Sequence, residues 1–153
     1  MAEAIFKNAI SQINCENDFQ VDSAGTHSYH VGSLPDERTL TVLKENHVPC
    51  RHFGKQVSIS DFDTYNFMFA MDSDNFNFLK RMKPEDSQTE ILLLRKLDPF
   101  RHGSLIVPDP YYGNLDDFYS VYNILESSIN RLLEDYPSRR GELITQELLS
   151  FLE

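Results

Sequence analysis

Apolar residues along the chain occur in two patterns, helical spacing and short continuous runs. Helical spacing predicts a helix over residues 4–13, one over 36–46, and a third that begins at the DSDN turn, residues 72–75. The longest amphipathic pattern runs from Asn114 to Tyr136, and its acidic first turn complements the helix dipole. These four helices account for most of the predicted regular structure.

Continuous apolar runs lie between the helices. FQV at 19–21, YNFMFAM at 65–71 and ILLL at 91–94 are predicted strands. Short apolar strands that alternate with amphipathic helices indicate an α/β fold of three layers, with a parallel sheet flanked by helices. Such a domain normally opens with a strand, whereas this chain opens with a predicted helix. Either the first strand of the sheet is missing from this chain, or the chain is an ordinary α/β protein that begins with a helix.

Length, charge and cysteine content argue against several classes of function. A chain of 153 residues is most simply one domain, and its net charge of −10 argues against nucleic-acid or membrane-surface binding, since both partners are anionic. Two cysteines make no disulfide framework, no segment resembles a signal peptide, and the apolar runs are too short to span a bilayer. These features predict a cytoplasmic protein.

The segment VPDPYYGNLDDF at 107–118 is the most informative motif. Asp109 lies between Pro108 and Pro110, which hold its backbone in a stiff, extended turn. A general acid depends on such fixed placement, although two prolines and an aspartate also simply make a loop. The adjacent Tyr111 and Tyr112 favour the catalytic interpretation, because they would provide walls for an aromatic substrate.

The ordered motifs resemble the low-molecular-weight protein-tyrosine phosphatase family. DPYYG is similar to the general-acid loop of that family, and the other matches are VDSAGT at 21–26, PDER at 35–38, HFGKQVS at 52–58 and DFDTYNFMFAMDSDN at 61–75. The resemblance covers residues 1–136, which we take as the phosphatase domain. Residues 137–153 then form a C-terminal tail with a possible short helix.

The resemblance implies a role for each matching residue. Asp109 corresponds to the acid that protonates the leaving phenolate, and Tyr111 and Tyr112 correspond to walls of the substrate cleft, with Tyr29 on the opposite side. Substrates would be phosphotyrosine proteins or small aryl phosphates, and no cofactor or metal is expected.

Three further positions support the phosphate loop in the family. Ser23 and His52 match residues whose hydrogen bonds hold that loop and its cysteine, and Asp72 matches a carboxylate that braces the loop arginine. Histidine pairs suggest no metal site, because His27 and His30 have no helix beneath them and no carboxylate completes a set with His47 and His52.

The family nucleophile is a cysteine followed, six residues later, by an arginine. Val21 stands six residues after Cys15, and Gln56 six residues after Cys50, so neither cysteine matches. We expect this chain to lack the nucleophile loop together with the first, central strand, and therefore to be inactive as given.

Three hypotheses remain open. The chain represents a phosphatase whose complete gene product is active, or a non-enzymatic pseudophosphatase or truncated isoform that binds partners. An arsenate reductase on the related fold fits less well, because it requires further cysteines and none follows Cys50.

Overall fold

The computed structural model describes residues 1–134. Five helices are present in this part of the chain: α1 (Ala2–Gln12), α2 (Glu37–Glu45), the short α3 (Asp61–Thr64), α4 (Ser73–Met82) and α5 (Leu115–Leu133). Two strands, β1 (Phe67–Ala70) and β2 (Glu90–Leu93), and two 3-10 turns, Glu16–Asp18 and Leu94–Leu97, complete the regular elements. The predicted tail, residues 137–153, and Tyr136 lie outside the described residues.

β1 and β2 form a parallel pair connected through α4. Phe67 is opposite Glu90 and Ala70 is opposite Leu93, so the register is continuous over four residues. Parallel strands need such a crossover, because a short hairpin turn cannot bring the chain back to the same end of the sheet.

Side chains from the two faces of the sheet enter two separate apolar clusters. Phe67 and Phe69 pack against the larger cluster, which is built mainly from α1, α2 and α5. Met68 and Ala70 join the smaller cluster with Phe62 of α3 and Leu79 of α4. Because successive strand residues point to opposite faces, the sheet lies between two helical layers. The predicted three-layer α/β fold is confirmed.

Local sequence explains where the helices begin. Asp72 caps α4 by accepting a hydrogen bond from the Asn75 backbone N–H at 2.7 Å. Asn114 caps α5 and, with Asp117, forms a reciprocal capping box. α5 corresponds to the fourth predicted helix. It ends at Leu133, three residues before the predicted end at Tyr136. None of the helices of residues 1–134 is long and apolar enough to cross a membrane.

One predicted element is wrong. Residues 19–21 are not a strand, although Phe19 has an extended backbone with φ −128° and ψ 134°. A strand requires a hydrogen-bonded neighbour, and within residues 1–134 the backbone groups of Gln20 and Val21 form no hydrogen bond. The segment first pairs further along, where Gly25 forms an isolated parallel bridge to Gln56.

Candidate active site

The loop that holds Asp109 connects the end of the sheet to α5. Its backbone is anchored at Val107, which is buried and donates a hydrogen bond to the Met71 carbonyl at 2.8 Å. The Asp109 carboxylate is exposed, and one of its oxygens accepts a hydrogen bond from the Tyr111 backbone N–H at 3.0 Å. The carboxyl group is therefore held locally and still reaches solvent.

Arg38, from the first turn of α2, clamps the same loop. Its two terminal nitrogens donate to the carbonyls of Tyr111 and Gly113, each at 3.0 Å. The guanidinium also lies 4.3 Å from the centre of the Phe118 ring. A planar guanidinium with several fixed donors suits such simultaneous contacts, and they connect residues more than 70 positions apart.

Asp36 orients Arg38 for this contact. Its carboxylate accepts from the Arg38 backbone N–H at 2.8 Å and pairs with the guanidinium at 2.8 Å. These hydrogen bonds from Arg38 lower the pKa of Asp36 below its ordinary value. Asp36 is also the N-cap of α2, so one carboxylate begins the helix and positions the arginine.

The three tyrosines predicted as substrate walls are all exposed. Tyr112 is 95% exposed and Tyr111 is 53% exposed, and their rings meet edge to face at 5.1 Å. Tyr29 is 83% exposed and stacks on His27 at 5.5 Å. Large exposed aromatic side chains are available to stack on a planar ligand.

Glu3 links the two residues predicted to support the phosphate loop. Ser23 Oγ donates to Glu3 Oε2 at 2.6 Å, and His52 Nδ1 lies 2.9 Å from the same oxygen. The other oxygen contacts Lys7 Nζ at 2.5 Å. Burial raises the pKa of Glu3, but the hydrogen bonds from Lys7 and Ser23 outweigh it and leave this pKa lowered.

Asp22 completes a small cluster beside Glu3 and His52. One ligand atom from each of these three residues lies within 4.8 Å of the others, so two carboxylates accompany His52, while His47 is not part of this cluster. Asp22 is nevertheless already paired with Lys55 Nζ at 2.5 Å, and Glu3 is paired with Lys7. Each carboxylate thus has a cationic neighbour, which favours a hydrogen-bonded network over a metal site.

The remaining predicted residues occupy distinct places. Asp72 is the N-cap of α4, and the structure shows that carboxylate binding a backbone N–H. Cys15 is only 2% exposed and its thiol contacts the Ile13 carbonyl, while Cys50 is half-buried against the main core. A thiol as buried as that of Cys15 is inaccessible to a phosphate ester.

A large groove of about 1400 Å³ brings part of the predicted site together. Tyr29, Ser23 and His52 line it, along with Glu3 and the half-buried strand β1. Asp109, Tyr111 and Tyr112 are outside its lining and form a second group, held by Arg38.

Sequence reasoning assigned no role to Glu3 or Arg38. Glu3 precedes Phe6 by three positions and Ile10 by seven, which places an acid on the apolar stripe of α1. That pattern could have indicated a buried, partnered carboxylate. Arg38 lies inside the PDER motif, but nothing in the local sequence connects it to a loop near residue 111.

The fold and these residues define a phosphatase-like α/β domain with a clamped acidic loop. A family model described as low molecular weight phosphotyrosine protein phosphatase matches residues 1–141. The chain belongs to this family. Family membership supports protein-tyrosine phosphatase function, with phosphotyrosine proteins as the implied substrates.

Relatives and solved structures agree with this assignment. The low molecular weight phosphotyrosine protein phosphatase of Saccharomyces cerevisiae is 41% identical over 121 residues, covering 77% of this chain and 74% of the yeast protein. The human protein of the same name is 36% identical over 124 residues, covering 80% and 77%. A protein tyrosine phosphatase structure from Entamoeba histolytica has a TM-score of 0.83 at 33% identity, covering 90% of this chain and 87% of that chain.

Proposed function

We propose that this domain belongs to a phosphotyrosine monoester hydrolase in which Asp109 is the general acid and Tyr29, Tyr111 and Tyr112 contact the aryl group. The observation that supports this proposal best is the clamped loop. Arg38 fixes two carbonyls beside Asp109, while the carboxylate and both tyrosines stay exposed. General-acid catalysis requires this combination of fixed position and access to substrate.

The proposed reaction has two steps, phosphoryl transfer to a cysteine and hydrolysis of the phosphocysteine. A cysteine thiolate attacks phosphorus, the bond from phosphorus to the phenolic oxygen breaks, and the Asp109 carboxyl gives its proton to that oxygen. Water then attacks the phosphocysteine and loses a proton to Asp109 as phosphate and the thiolate are released. A phenolate with a pKa of about 10 is a poor leaving group without the proton.

The support for the phosphate loop is assigned to Ser23 and His52, which Glu3 holds in one hydrogen-bonded group. We assign Asp72 to bracing the loop arginine, in addition to its contact with the Asn75 N–H. The phosphatase domain spans residues 1–136 in this proposal, and residues 137–153 are a separate tail.

The chain of 153 residues is itself proposed to be inactive, because neither Cys15 nor Cys50 is followed six residues later by arginine. An isolated general acid supplies only about 10²–10⁴-fold of rate enhancement. The alternative is a pseudophosphatase that binds partners without catalysis. Turnover by the chain once a nucleophile loop is added would favour the phosphatase over this alternative.

The test uses p-nitrophenyl phosphate and four proteins: the chain, its Cys15→Ser variant, its Cys50→Ser variant, and the chain preceded by a strand and a Cys-x5-Arg loop. We expect turnover only from the last. Turnover by the unmodified chain that disappears in either serine variant would refute the assignment of inactivity. A correctly folded extended protein without turnover would refute the phosphatase proposal itself.

A further inference from the structure

Tyr29 lies in a surface loop, residues 25–33, whose base is bonded to a second segment of the chain. The Gly25 N–H donates to the Lys55 carbonyl at 2.8 Å, and the Val57 N–H donates to the Gly25 carbonyl at 3.0 Å. These bonds determine where the loop leaves the domain. They do not determine how closely its tip approaches the second segment.

A further pair of hydrogen bonds holds the tip of the loop against Gly54. The Gly32 N–H donates to the Gly54 carbonyl at 2.7 Å, and the Gly54 N–H donates to the Ser33 carbonyl at 2.9 Å. The loop therefore uses both backbone polar groups of Gly54. Two stretches of backbone approach each other this closely where no side chain stands between them.

This position requires glycine for reasons of space rather than backbone conformation. Within residues 1–134, the glycines with positive φ are Gly32 and Gly103, so the backbone of Gly54 is one that other residues also adopt. A methyl group at position 54 would overlap the carbonyl oxygen of His30 and lie 3.1 Å from its carbonyl carbon. Non-bonded atoms pack at about 3.5–4.0 Å, so the loop would have to move away by on the order of 1 Å. Since His30 is adjacent to Tyr29, this movement displaces Tyr29 as well.

The segment that receives the loop also carries His52, whose ring contacts Glu3 two residues before Gly54. We infer that Gly54 is a positioning residue for the substrate: because it has no side chain, the loop docks on it and Tyr29 is held at one distance from His52. This inference rests on the proposed function, in which Tyr29 contacts the aryl group and His52 supports the phosphate loop. Gly54 then sets the width of the cleft for the aryl group without contacting the substrate.

The first test measures the loop in the chain of 153 residues, by amide hydrogen exchange. Gly54→Ala should accelerate exchange of the Gly32 N–H at least about tenfold, because its acceptor moves out of reach, while exchange in α5 stays at the wild-type rate. Gly25→Ala is the matched control and should leave the Gly32 rate unchanged. A methyl group at position 25 makes only ordinary contacts, 3.5 Å from the His27 carbonyl oxygen.

An unchanged Gly32 rate in Gly54→Ala would overturn the inference. If this variant does not fold, the wild type decides, because an unprotected Gly32 N–H would show that the loop is not docked on Gly54.

The second test measures kinetics in the chain extended by a strand and a Cys-x5-Arg loop. Gly54→Ala should raise KM for phosphotyrosine about three- to tenfold, as expected for one weakened aromatic contact. The value of kcat should stay the same, because Arg38 holds the Asp109 loop separately. In a Tyr29→Ala background, Gly54→Ala should raise KM no further, since it acts through Tyr29. Equal increases in both backgrounds, or a loss confined to kcat, would overturn the inference.

Failure of this inference differs from failure of the proposed function. An extended wild type without turnover would refute the phosphatase proposal and with it the effect on KM, while exchange at Gly32 would still show whether Gly54 holds the loop. Wild-type turnover with the same KM in Gly54→Ala would overturn the inference and leave the phosphatase proposal standing.

Discussion

Replacing Glu3 by glutamine tests the network that holds Ser23 and His52. The substitution keeps the shape of the side chain and removes its charge. Glu3 is only 8% exposed and receives contacts of 2.6 Å from Ser23 and 2.9 Å from His52. A hydrogen bond to a charged group contributes about 1.5–3 kcal/mol, against about 1 kcal/mol for a neutral pair.

Two such bonds weakened together predict a loss of about 2 kcal/mol in the free energy of unfolding at neutral pH. In urea, where this free energy falls by about 1–3 kcal/mol per molar, the midpoint should move down by about 1 M. Circular dichroism at equilibrium measures the midpoint. Lys7→Gln is the matched control, because Lys7 is half-exposed and its pair should contribute less than about 1 kcal/mol.

The stability difference between the wild type and Glu3→Gln should depend on pH, and this dependence tests whether the charge of Glu3 is responsible. The pKa of Glu3 is lowered below its ordinary 4.5, so folding favours the ionised form. Its stabilisation is complete above about pH 4.5 and is lost as the pH falls through the lowered value. The difference between the wild type and Glu3→Gln should therefore shrink in acid. A difference equal at neutral pH and at about pH 2 would show that the charge of Glu3 does not act.

Three other predictions follow from the structure. Arg38→Lys keeps the charge but cannot bridge the two carbonyls, so amide exchange at residues 111–113, measured by mass spectrometry, should become faster while exchange in α5 stays the same. Unchanged exchange at residues 111–113 would contradict the role of Arg38 in holding this loop. In the chain extended by a Cys-x5-Arg loop, Asp109→Asn should reduce kcat about 10²–10⁴-fold for phosphotyrosine and less for p-nitrophenyl phosphate, because the more acidic leaving group needs the proton less. Equal, small losses with both substrates would indicate that Asp109 only shapes its loop. Leu43→Ala should cost about 2–5 kcal/mol of unfolding free energy in urea, because Leu43 is 1% exposed, and the 67% exposed Leu34 should tolerate alanine within about 0.5 kcal/mol.

The sequence alone was sufficient for the layers of the fold and for the family. Long-range periodicity predicted α5, and the apolar runs predicted β1 and β2, because burial selects apolar side chains with the period of each element. The resemblance rested on ordered motifs such as DPYYG, and the match to the family model over residues 1–141 confirms it.

Contacts between distant segments were decided only by the tertiary structure. Residues 19–21 have the composition of a strand, but pairing depends on a neighbouring backbone, which local sequence does not specify. Glu3 meets Ser23 and His52 because α1 packs beside two loops, and Arg38 reaches Tyr111 because α2 lies against the start of α5. Each contact joins residues far apart in sequence, where periodicity carries no information about which side chains will meet.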